Sequence, residues 1–193
     1  MDIVYDKIAF FRNALPNPKE WLDKVELIED DLISAWIPWQ SNPDDGTTPY
    51  VYGDRKHLLL KDSESNKESA ALVKQVIDAM VNCAEQYAKE YNINIPIDLG
   101  SACVLNKYKE NEVMGQHADW NEHQDMLEYS FVVYINEDYE GGELYFKDLD
   151  VTITPEAGSI ALFPAKLPYS HGSNQLISGR KVFIPHFWRN VKS

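Results

Sequence analysis

The pattern of apolar residues changes near residue 97. Beyond that point, short runs of β-branched and aromatic residues alternate with turn formers such as Gly141-Gly142 and Ser178-Gly179. This pattern predicts six strands, over 102–108, 129–135, 143–146, 151–154, 159–163 and 181–188. Many short strands separated by turns are typical of a roll made of two facing antiparallel sheets.

Helical signals dominate before residue 97, apart from a strand-like apolar run over 3–11. Pro16, Asn17 and Pro18 precede a short predicted helix, and Ser65 with Glu68 forms a capping box before a longer one. Apolar residues in and just beyond the longer helix recur at steps of four and three, namely Val73, Ile77, Met80, Ala84, Tyr87 and Tyr91. The predicted class is α+β: a jelly roll, or double-stranded β-helix, with helices packed on the outside.

One domain over 1–193 suits this length, because a chain of 193 residues can bury a sizeable core. We expect a helical support over about 1–96 and the roll over about 97–190. Cys83 and Cys103 lie in apolar segments and read as reduced core thiols. No signal-peptide pattern and no spanning apolar run is visible, so we expect a cytoplasmic protein with no membrane partner.

The net charge of the chain indicates which classes of partner it can bind. A net charge of −13 disfavours binding to a phosphate backbone, which relies on Lys and Arg. An acidic surface keeps a chain in solution and can also attract a basic protein segment. We therefore expect no nucleic-acid partner.

The residues His117-Ala118-Asp119 are the first part of a candidate metal site. In extended backbone, residues i and i+2 point to the same face, so this segment can offer one nitrogen and one oxygen ligand. His171 follows Phe163-Pro164, and we place it at a strand end in a turn flanked by glycine and serine. Two histidines and one carboxylate form the face that binds Fe(II) and leaves open positions. The tripeptide alone better fits a surface histidine beside a turn-capping aspartate, and it is the surrounding pattern that favours a metal site.

At this point the chain resembles the Fe(II)/2-oxoglutarate oxygenase superfamily, in its prolyl 4-hydroxylase-like branch. The similarity covers about 99–188 and rests on a string of residues in the family's order: Tyr108, His117-Ala118-Asp119, Tyr134-Ile135-Asn136, Gly141-Gly142-Glu143-Leu144, Gly158, Phe163-Pro164, His171 and Gly179-Arg180-Lys181. The resemblance implies that the iron ligands are His117, Asp119 and His171. It also implies that Lys181 pairs with the C5 carboxylate of 2-oxoglutarate, that Tyr134 hydrogen-bonds the same carboxylate, and that Tyr108 lines the co-substrate pocket.

Two positions depart from or complicate the family pattern. The family often has tyrosine three residues before the first histidine, where this chain has Met114. Arg180 and Lys181 are neighbours, and strand alternation lets only one face inward. We favour Lys181, because Phe187 then falls where the family keeps an inward aromatic residue; Arg180 is the alternative.

The resemblance implies hydroxylation of a C–H bond, with 2-oxoglutarate and O2 converted to succinate and CO2 and with ascorbate as a supporting reductant. Asp119 also indicates a hydroxylase, because halogenases of the family lack this carboxylate. The first expected substrate is a peptidyl proline, and a peptide or protein is favoured over a small molecule. The alternatives are a hydroxylase of a free amino acid, a cupin-like metalloenzyme that does not use 2-oxoglutarate, and a non-catalytic roll that binds a partner protein.

The remaining candidates have simpler interpretations. We expect His186 and His57 to be structural, and His123 to lie in a polar loop. The turn-rich segment 36–54 is a candidate lid, and loop 120–128 a second selectivity loop, with Trp120 able to touch substrate.

Overall fold

The computed structural model describes residues 1–28, 37–39, 53–59, 67–94, 96–100, 102–120 and 126–190. The helices in these ranges are α1, Pro18–Leu27, and α2, Lys67–Glu90. The strands are β1 Asp2–Tyr5, β2 Ile8–Phe11, β3 Ile37–Trp39, β4 Gly53–Leu59, β5 Ala102–Lys109, β6 Met114–His117, β7 Leu127–Tyr134, β8 Tyr139–Gly141, β9 Leu144–Phe146, β10 Val151–Ile153, β11 Ile160–Pro164, β12 His171–Ser173 and β13 Leu176–Arg189.

Two antiparallel sheets form the body of the described chain. The larger has nine strands, in the order β1-β2-β11-β7-β13-β5-β4-β3, with β8 pairing with β13. The smaller has four strands, in the order β10-β9-β12-β6. The two sheets enclose a shared apolar interior, and the fold is the predicted double-stranded β-helix.

Strands β2 and β11 of the larger sheet are buried at almost every position, which explains why they are continuously apolar. On β11, Ile160 and Leu162 belong to the core between the sheet and the helices. Ala161 and Phe163 belong to the second core, between the two sheets. The functional cavity lies on that second side.

Helix α2 covers the outer face of the larger sheet, as its apolar spacing predicts. Its most buried stripe includes Val73, Val76, Met80 and Tyr87, whereas Ile77 is half-buried. The Tyr87 hydroxyl donates a 2.8 Å hydrogen bond to the Lys7 carbonyl oxygen. The helix is thereby tied to the β1–β2 turn. Ser65 of the predicted capping box lies outside the described residues.

Helix α1 begins at Pro18 and carries Trp21, which is fully buried. The Trp21 indole nitrogen donates a 3.1 Å hydrogen bond to the Leu72 carbonyl oxygen, which joins the two helices. Neither α1 nor α2 is long and apolar enough to cross a membrane.

The structure also differs from the predicted organisation. The segment 3–11 is a hairpin rather than one strand, with Asp6 at a φ of 39° in the turn. Four strands from 1–96 join the larger sheet, so this segment is more than a helical support. Parts of the predicted lid form β3 and the start of β4, while 40–52 lie outside the described residues. Strands β6, β8 and β12 are short, polar or glycine-containing, and lack the alternation that reveals a strand in a sequence.

Cys83 and Cys103 are buried free thiols, as expected. Burial raises the pKa of each to about 12, so both stay protonated and unreactive at neutral pH. Their place in the core between α2 and the larger sheet gives them a packing role.

Candidate active site

A cavity of about 480 Å³ lies between the two sheets and contains the predicted site residues. Its walls include His117, Asp119 and His171, together with Tyr108, Tyr134 and Lys181. The opposing strands β6 and β12 of the smaller sheet supply the histidines, and the larger sheet supplies the tyrosines and the lysine. The fold therefore brings residues from distant parts of the sequence into one pocket.

His171 is the first residue of β12 rather than part of a turn, which corrects its predicted setting. Its Cα atom is the direct antiparallel partner of His117 at the end of β6. The two imidazole centroids are 4.6 Å apart. Each Nε2 approaches the same carboxylate, at 3.3 Å from His117 to Asp119 Oδ1 and 3.5 Å from His171 to Asp119 Oδ2.

The backbone sets the orientation of both rings. His117 Nδ1 lies 3.0 Å from the Gly115 carbonyl oxygen, and His171 Nδ1 lies 3.3 Å from the Tyr169 carbonyl oxygen. Since a carbonyl only accepts, each Nδ1 acts as the donor, which leaves Nε2 as the ligand atom that each ring would offer to a metal ion when the ring is neutral. Metal-binding histidines are commonly oriented through such outer hydrogen bonds.

Asp119 is an ionised carboxylate within this group. Burial alone raises the pKa of Asp119, but the two imidazoles and the hydrogen bonds from His117 and Ser130 outweigh burial and lower it to about 2. The Ser130 hydroxyl donates a 2.6 Å hydrogen bond to Asp119 Oδ2. The Asp119 carboxylate is therefore available as an anionic ligand.

The two histidines differ in their environment. Burial lowers the pKa of His171 to about 4, so its ring is neutral at pH 7. Burial opposes protonation of His117 as well, but its hydrogen bond with Asp119 and the charge of that carboxylate raise its pKa. Among the described residues these three form the group able to hold a metal ion, with ligand atoms all within 4.8 Å of one another. Two nitrogens and one carboxylate oxygen are a donor set that suits Fe(II).

Lys181 faces the interior of the same cavity and is 2% exposed. Burial lowers its pKa to about 7, although the charge of Glu143 opposes this shift. Its ammonium nitrogen donates to the Gly142 carbonyl oxygen at 2.6 Å and to Ser173 Oγ at 2.9 Å. Arg180 lies on the other side of β13, where it donates a 2.7 Å hydrogen bond to Glu26.

Three buried tyrosine hydroxyls near Lys181 have no hydrogen-bond partner among the described residues, and two of these tyrosines, Tyr108 and Tyr134, line the cavity. Burial raises the pKa of both phenols, so both remain O–H donors. The Lys181 nitrogen lies 5.9 Å and 5.4 Å from the Tyr108 and Tyr134 ring centroids. Buried polar groups seldom lack partners, and these donors fit the carboxylate of a bound dicarboxylic acid.

The strand register relates the two parts of the pocket. Phe187 pairs with Ser130, whose hydroxyl holds Asp119, and Lys181 lies six residues earlier on the same strand. Phe183 pairs with both Tyr134 and Asn106 between these two levels. The pocket therefore runs along β13 from the candidate metal ligands to the lysine, and Phe187 lines it as expected.

The other candidate residues fall into three groups. His186 does not line the pocket. Its Nε2 atom hydrogen-bonds with the Leu99 carbonyl oxygen, so this histidine has a structural role. Met114, the departure from the family pattern, lines the cavity. Residue 123 and the side chain of residue 57 lie outside what the structure describes.

Sequence reasoning missed three polar residues of the site: Asn106 and Ser173 line the cavity, and Ser130 donates a hydrogen bond to Asp119. Asn106 and Ser130 sit at period-two positions with the inward residues Tyr108 and Tyr134. A polar residue at such a position in an apolar strand was the available signal. Ser173 carried the same signal, two residues after His171.

Comparisons with known proteins agree with this geometry. Residues 103–189 match the family model described as the 2OG-Fe(II) oxygenase superfamily. No curated protein sequence matches the chain.

Solved structures of prolyl hydroxylases share the fold. The viral collagen prolyl hydroxylase of Paramecium Bursaria Chlorella virus-1 is 16% identical with a TM-score of 0.66, and the alignment covers 97% of each chain. A Pseudomonas putida prolyl-4-hydroxylase is 16% identical with a TM-score of 0.67, covering 99% of this chain and 96% of that one. A Trichoplax adhaerens prolyl hydroxylase in complex with a hypoxia inducible factor peptide fragment is 15% identical with a TM-score of 0.69, covering 97% and 86%.

The family match includes the whole candidate metal group and Lys181. It argues against the cupin-like alternative, which needs no 2-oxoglutarate, and against a non-catalytic roll. The match over residues 103–189 to the 2OG-Fe(II) oxygenase superfamily, together with the fold shared with prolyl hydroxylases, supports a dioxygenase that uses Fe(II), 2-oxoglutarate and O2.

Proposed function

We propose that this dioxygenase hydroxylates a prolyl residue of a peptide or protein at C4. The reaction converts 2-oxoglutarate, O2 and the C–H substrate to succinate, CO2 and the hydroxylated product. One oxygen atom of O2 enters succinate and the other enters the new hydroxyl group. Fe(II) and 2-oxoglutarate, when bound, supply the O2-activating chemistry, and the protein supplies binding and orientation.

The proposal rests chiefly on the extent of the fold agreement. Each of the three prolyl hydroxylases named above corresponds to 97% or more of this chain, so the likeness extends beyond the metal site to the surrounding elements. One of those proteins was solved with a peptide fragment bound. A peptide is therefore the substrate class that we favour.

In this proposal the described residues have distinct roles. His117, Asp119 and His171 hold the metal, with both rings oriented by backbone carbonyls and the carboxylate by Ser130. Lys181 binds the far carboxylate of 2-oxoglutarate, and the hydroxyls of Tyr108 and Tyr134 donate toward the same region. The apolar residues around them exclude water from the pocket.

The surface beside the metal group also suits a peptide. Trp120 directly follows Asp119, and its backbone N–H donates a 3.1 Å hydrogen bond to the Ala165 carbonyl oxygen. Lys166 lies over the Trp120 ring, 5.8 Å from its centroid. Next to it Leu167 is 72% exposed. An aromatic and apolar rim of this kind can contact a proline ring, and the acidic charge of the chain favours a basic segment.

The direct test is incubation with a library of proline-containing peptides in the presence of Fe(II), 2-oxoglutarate, ascorbate and O2. We expect a product with one added oxygen atom by mass spectrometry, and 4-hydroxyproline in the hydrolysate. Labelling with ¹⁸O2 should place one labelled atom in that product. The His171→Ala variant provides the inactive control.

Free L-proline and other free amino acids form the competing arm of the experiment. Their turnover, with no peptide modified at any sequence in the library, would replace the peptide proposal with a small-molecule hydroxylase. Release of succinate in both arms is expected from the family and does not distinguish them.

A further inference from the structure

Strand β12 presents two different groups to the pocket. His171 is its first residue and Ser173 its third, so both side chains lie on the same face. Both residues are buried, at 6% exposure each. Strand β12 therefore links the candidate metal ligand His171 to the residues that Ser173 contacts.

Ser173 contacts the lysine that we assign to the co-substrate. Its Oγ accepts a 2.9 Å hydrogen bond from Lys181 Nζ and lies 3.2 Å from the Gly142 carbonyl oxygen, to which it can donate. Lys181 Nζ also donates to that carbonyl at 2.6 Å. The ammonium, the hydroxyl and the carbonyl thus form a closed triangle, and one of the three ammonium donors remains for a ligand.

Without this triangle a buried lysine has little reason to stay charged or to keep one rotamer. Burial favours the neutral amine, while hydrogen bonds from the ammonium to oxygen acceptors favour the charged form. The other described groups around it are Glu143 beside β9, whose charge favours the ammonium, and the protonated phenols of Tyr108, Tyr134 and Tyr139. Ser173 is the nearest side-chain acceptor of Lys181 in the structure.

We propose that Ser173 is a positioning residue that keeps the Lys181 ammonium aimed at the C5 carboxylate of 2-oxoglutarate. This inference rests on the proposed co-substrate role of Lys181. It assigns to β12 a second task besides carrying His171. It also makes co-substrate affinity, rather than metal affinity, the property that Ser173 controls.

The test measures 2-oxoglutarate binding by calorimetry to enzyme loaded with Mn(II) in the absence of O2, so that no turnover occurs. At pH 7.5 we expect Ser173→Ala to weaken this binding about tenfold, the effect of one hydrogen bond to a charged group. Ser173→Cys, which keeps the volume but is a poor acceptor, should behave similarly. Ser173→Thr keeps the hydroxyl and should restore most of the affinity. Mn(II) affinity should change less than about twofold, because no metal ligand is altered.

The pH profile separates positioning from a loss of structure. With one acceptor removed, Lys181 loses its proton at lower pH, so the decline of 2-oxoglutarate affinity should begin at lower pH in Ser173→Ala than in the unaltered enzyme. Ser159→Ala is the matched control: Ser159 is fully buried and donates to the Glu156 carbonyl oxygen, and it does not line the cavity. Its profile should match that of the unaltered enzyme.

Two results would overturn the inference. One is an unchanged affinity for 2-oxoglutarate across the pH range in both Ser173→Ala and Ser173→Cys. The other is a loss of Mn(II) affinity as large as the loss of 2-oxoglutarate affinity, which would assign Ser173 to holding β12. Lys181→Met, measured in parallel, tests the underlying assignment separately: tight binding of 2-oxoglutarate by that variant would reject the role of Lys181 itself.

Discussion

Ser130 on β7 of the larger sheet donates a 2.6 Å hydrogen bond to Asp119, which follows β6 of the smaller sheet. This contact crosses the pocket and leaves Asp119 Oδ1 directed toward His117. The larger sheet thereby orients a carboxylate that the smaller sheet carries. Outer hydrogen bonds of this type tune metal sites as strongly as many direct contacts.

Ser130→Ala should therefore weaken metal binding without unfolding the protein. We expect a loss of about 10- to 100-fold in Fe(II) or Mn(II) affinity, because Asp119 loses the donor that orients it. Metal titration of the purified variant measures this, with Ser159→Ala as the buried-serine control. Equal metal affinity in the two variants would contradict the role given to Ser130.

His117→Ala and His171→Ala should each abolish stoichiometric Fe(II) binding, because two remaining ligands hold the ion poorly. Both variants should stay folded, since the two rings line a cavity rather than the packed core. A matched histidine control is His186→Ala, which removes a buried hydrogen bond to Leu99. That change should lower the free energy of unfolding by about 1–3 kcal/mol and leave iron binding intact. One tightly bound iron per chain in both ligand variants would reject the proposed metal group.

Lys181→Ala should weaken 2-oxoglutarate binding far more than metal binding. Loss of a buried charged partner is worth roughly 2–5 kcal/mol, including the carboxylate left unpaired. Arg180→Ala is the matched control, because its guanidinium lies outside the cavity in an exposed ion pair with Glu26. Measurement of KM for 2-oxoglutarate in both variants decides the matter, and a larger increase for Arg180→Ala would reverse the assignment.

The lowered pKa of Lys181 predicts a pH dependence of co-substrate binding. Burial lowers this pKa from 10.5 to about 7, and pairing with a carboxylate favours the charged form. Binding above pH 7 therefore takes up a proton, and affinity should fall by up to about tenfold for each pH unit. Calorimetry in buffers of different ionisation enthalpy detects the proton directly. In Lys181→Met both the proton uptake and this decline should vanish; their persistence would point to another group.

The same lysine affects the stability of the protein without ligands, with the opposite sign. Its folded pKa lies below its unfolded pKa, so the folded state binds fewer protons between about pH 7 and 10.5. Its contribution to the free energy of unfolding should rise with pH across that window and be lost as the pH falls to 7. Urea unfolding of the unaltered protein and of Lys181→Met at several pH values isolates the contribution. Parallel curves for the two proteins would show that the pKa of Lys181 is not lowered in the folded protein.

Gly172→Ala should disrupt the metal group by steric clash alone. A Cβ atom there would lie 2.5 Å from the Met114 carbonyl oxygen and would also meet the Tyr145 hydroxyl. The extra methyl group should push β12 away from β6 and separate His171 from His117, which lowers iron affinity. Adding Tyr145→Ala should not restore binding, because the backbone oxygen remains. Full iron affinity in Gly172→Ala would contradict the close strand contact.

The predicted strands and helices illustrate what local pattern reveals. The long apolar stripe forms helix α2 and the six predicted runs all form strands in the structure. A buried apolar face repeats at a fixed spacing along the sequence, so it can be recognised from residue order alone. His117 and Asp119 were identifiable together for the same reason, since two residues of extended chain share a face. Alternation along β13 allowed only one of Lys181 and Arg180 to face the pocket. The family's inward aromatic residue, matched by Phe187, favoured Lys181, and the structure places Lys181 at the pocket wall.

The sequence by itself determined the fold class through short-range periodicity, and it determined the candidate residues through residue type, spacing and the family resemblance. Only the tertiary structure decided how those residues meet. The pairing of His171 with His117, the donor from Ser130 to Asp119 and the contact between Ser173 and Lys181 all join strands that are distant in sequence. Strands β6 and β12 are too short and too polar to be recognised from the sequence pattern. They form strands because pairing with neighbouring strands satisfies their backbone hydrogen bonds. That long-range pairing, absent from any local pattern, positions the active site.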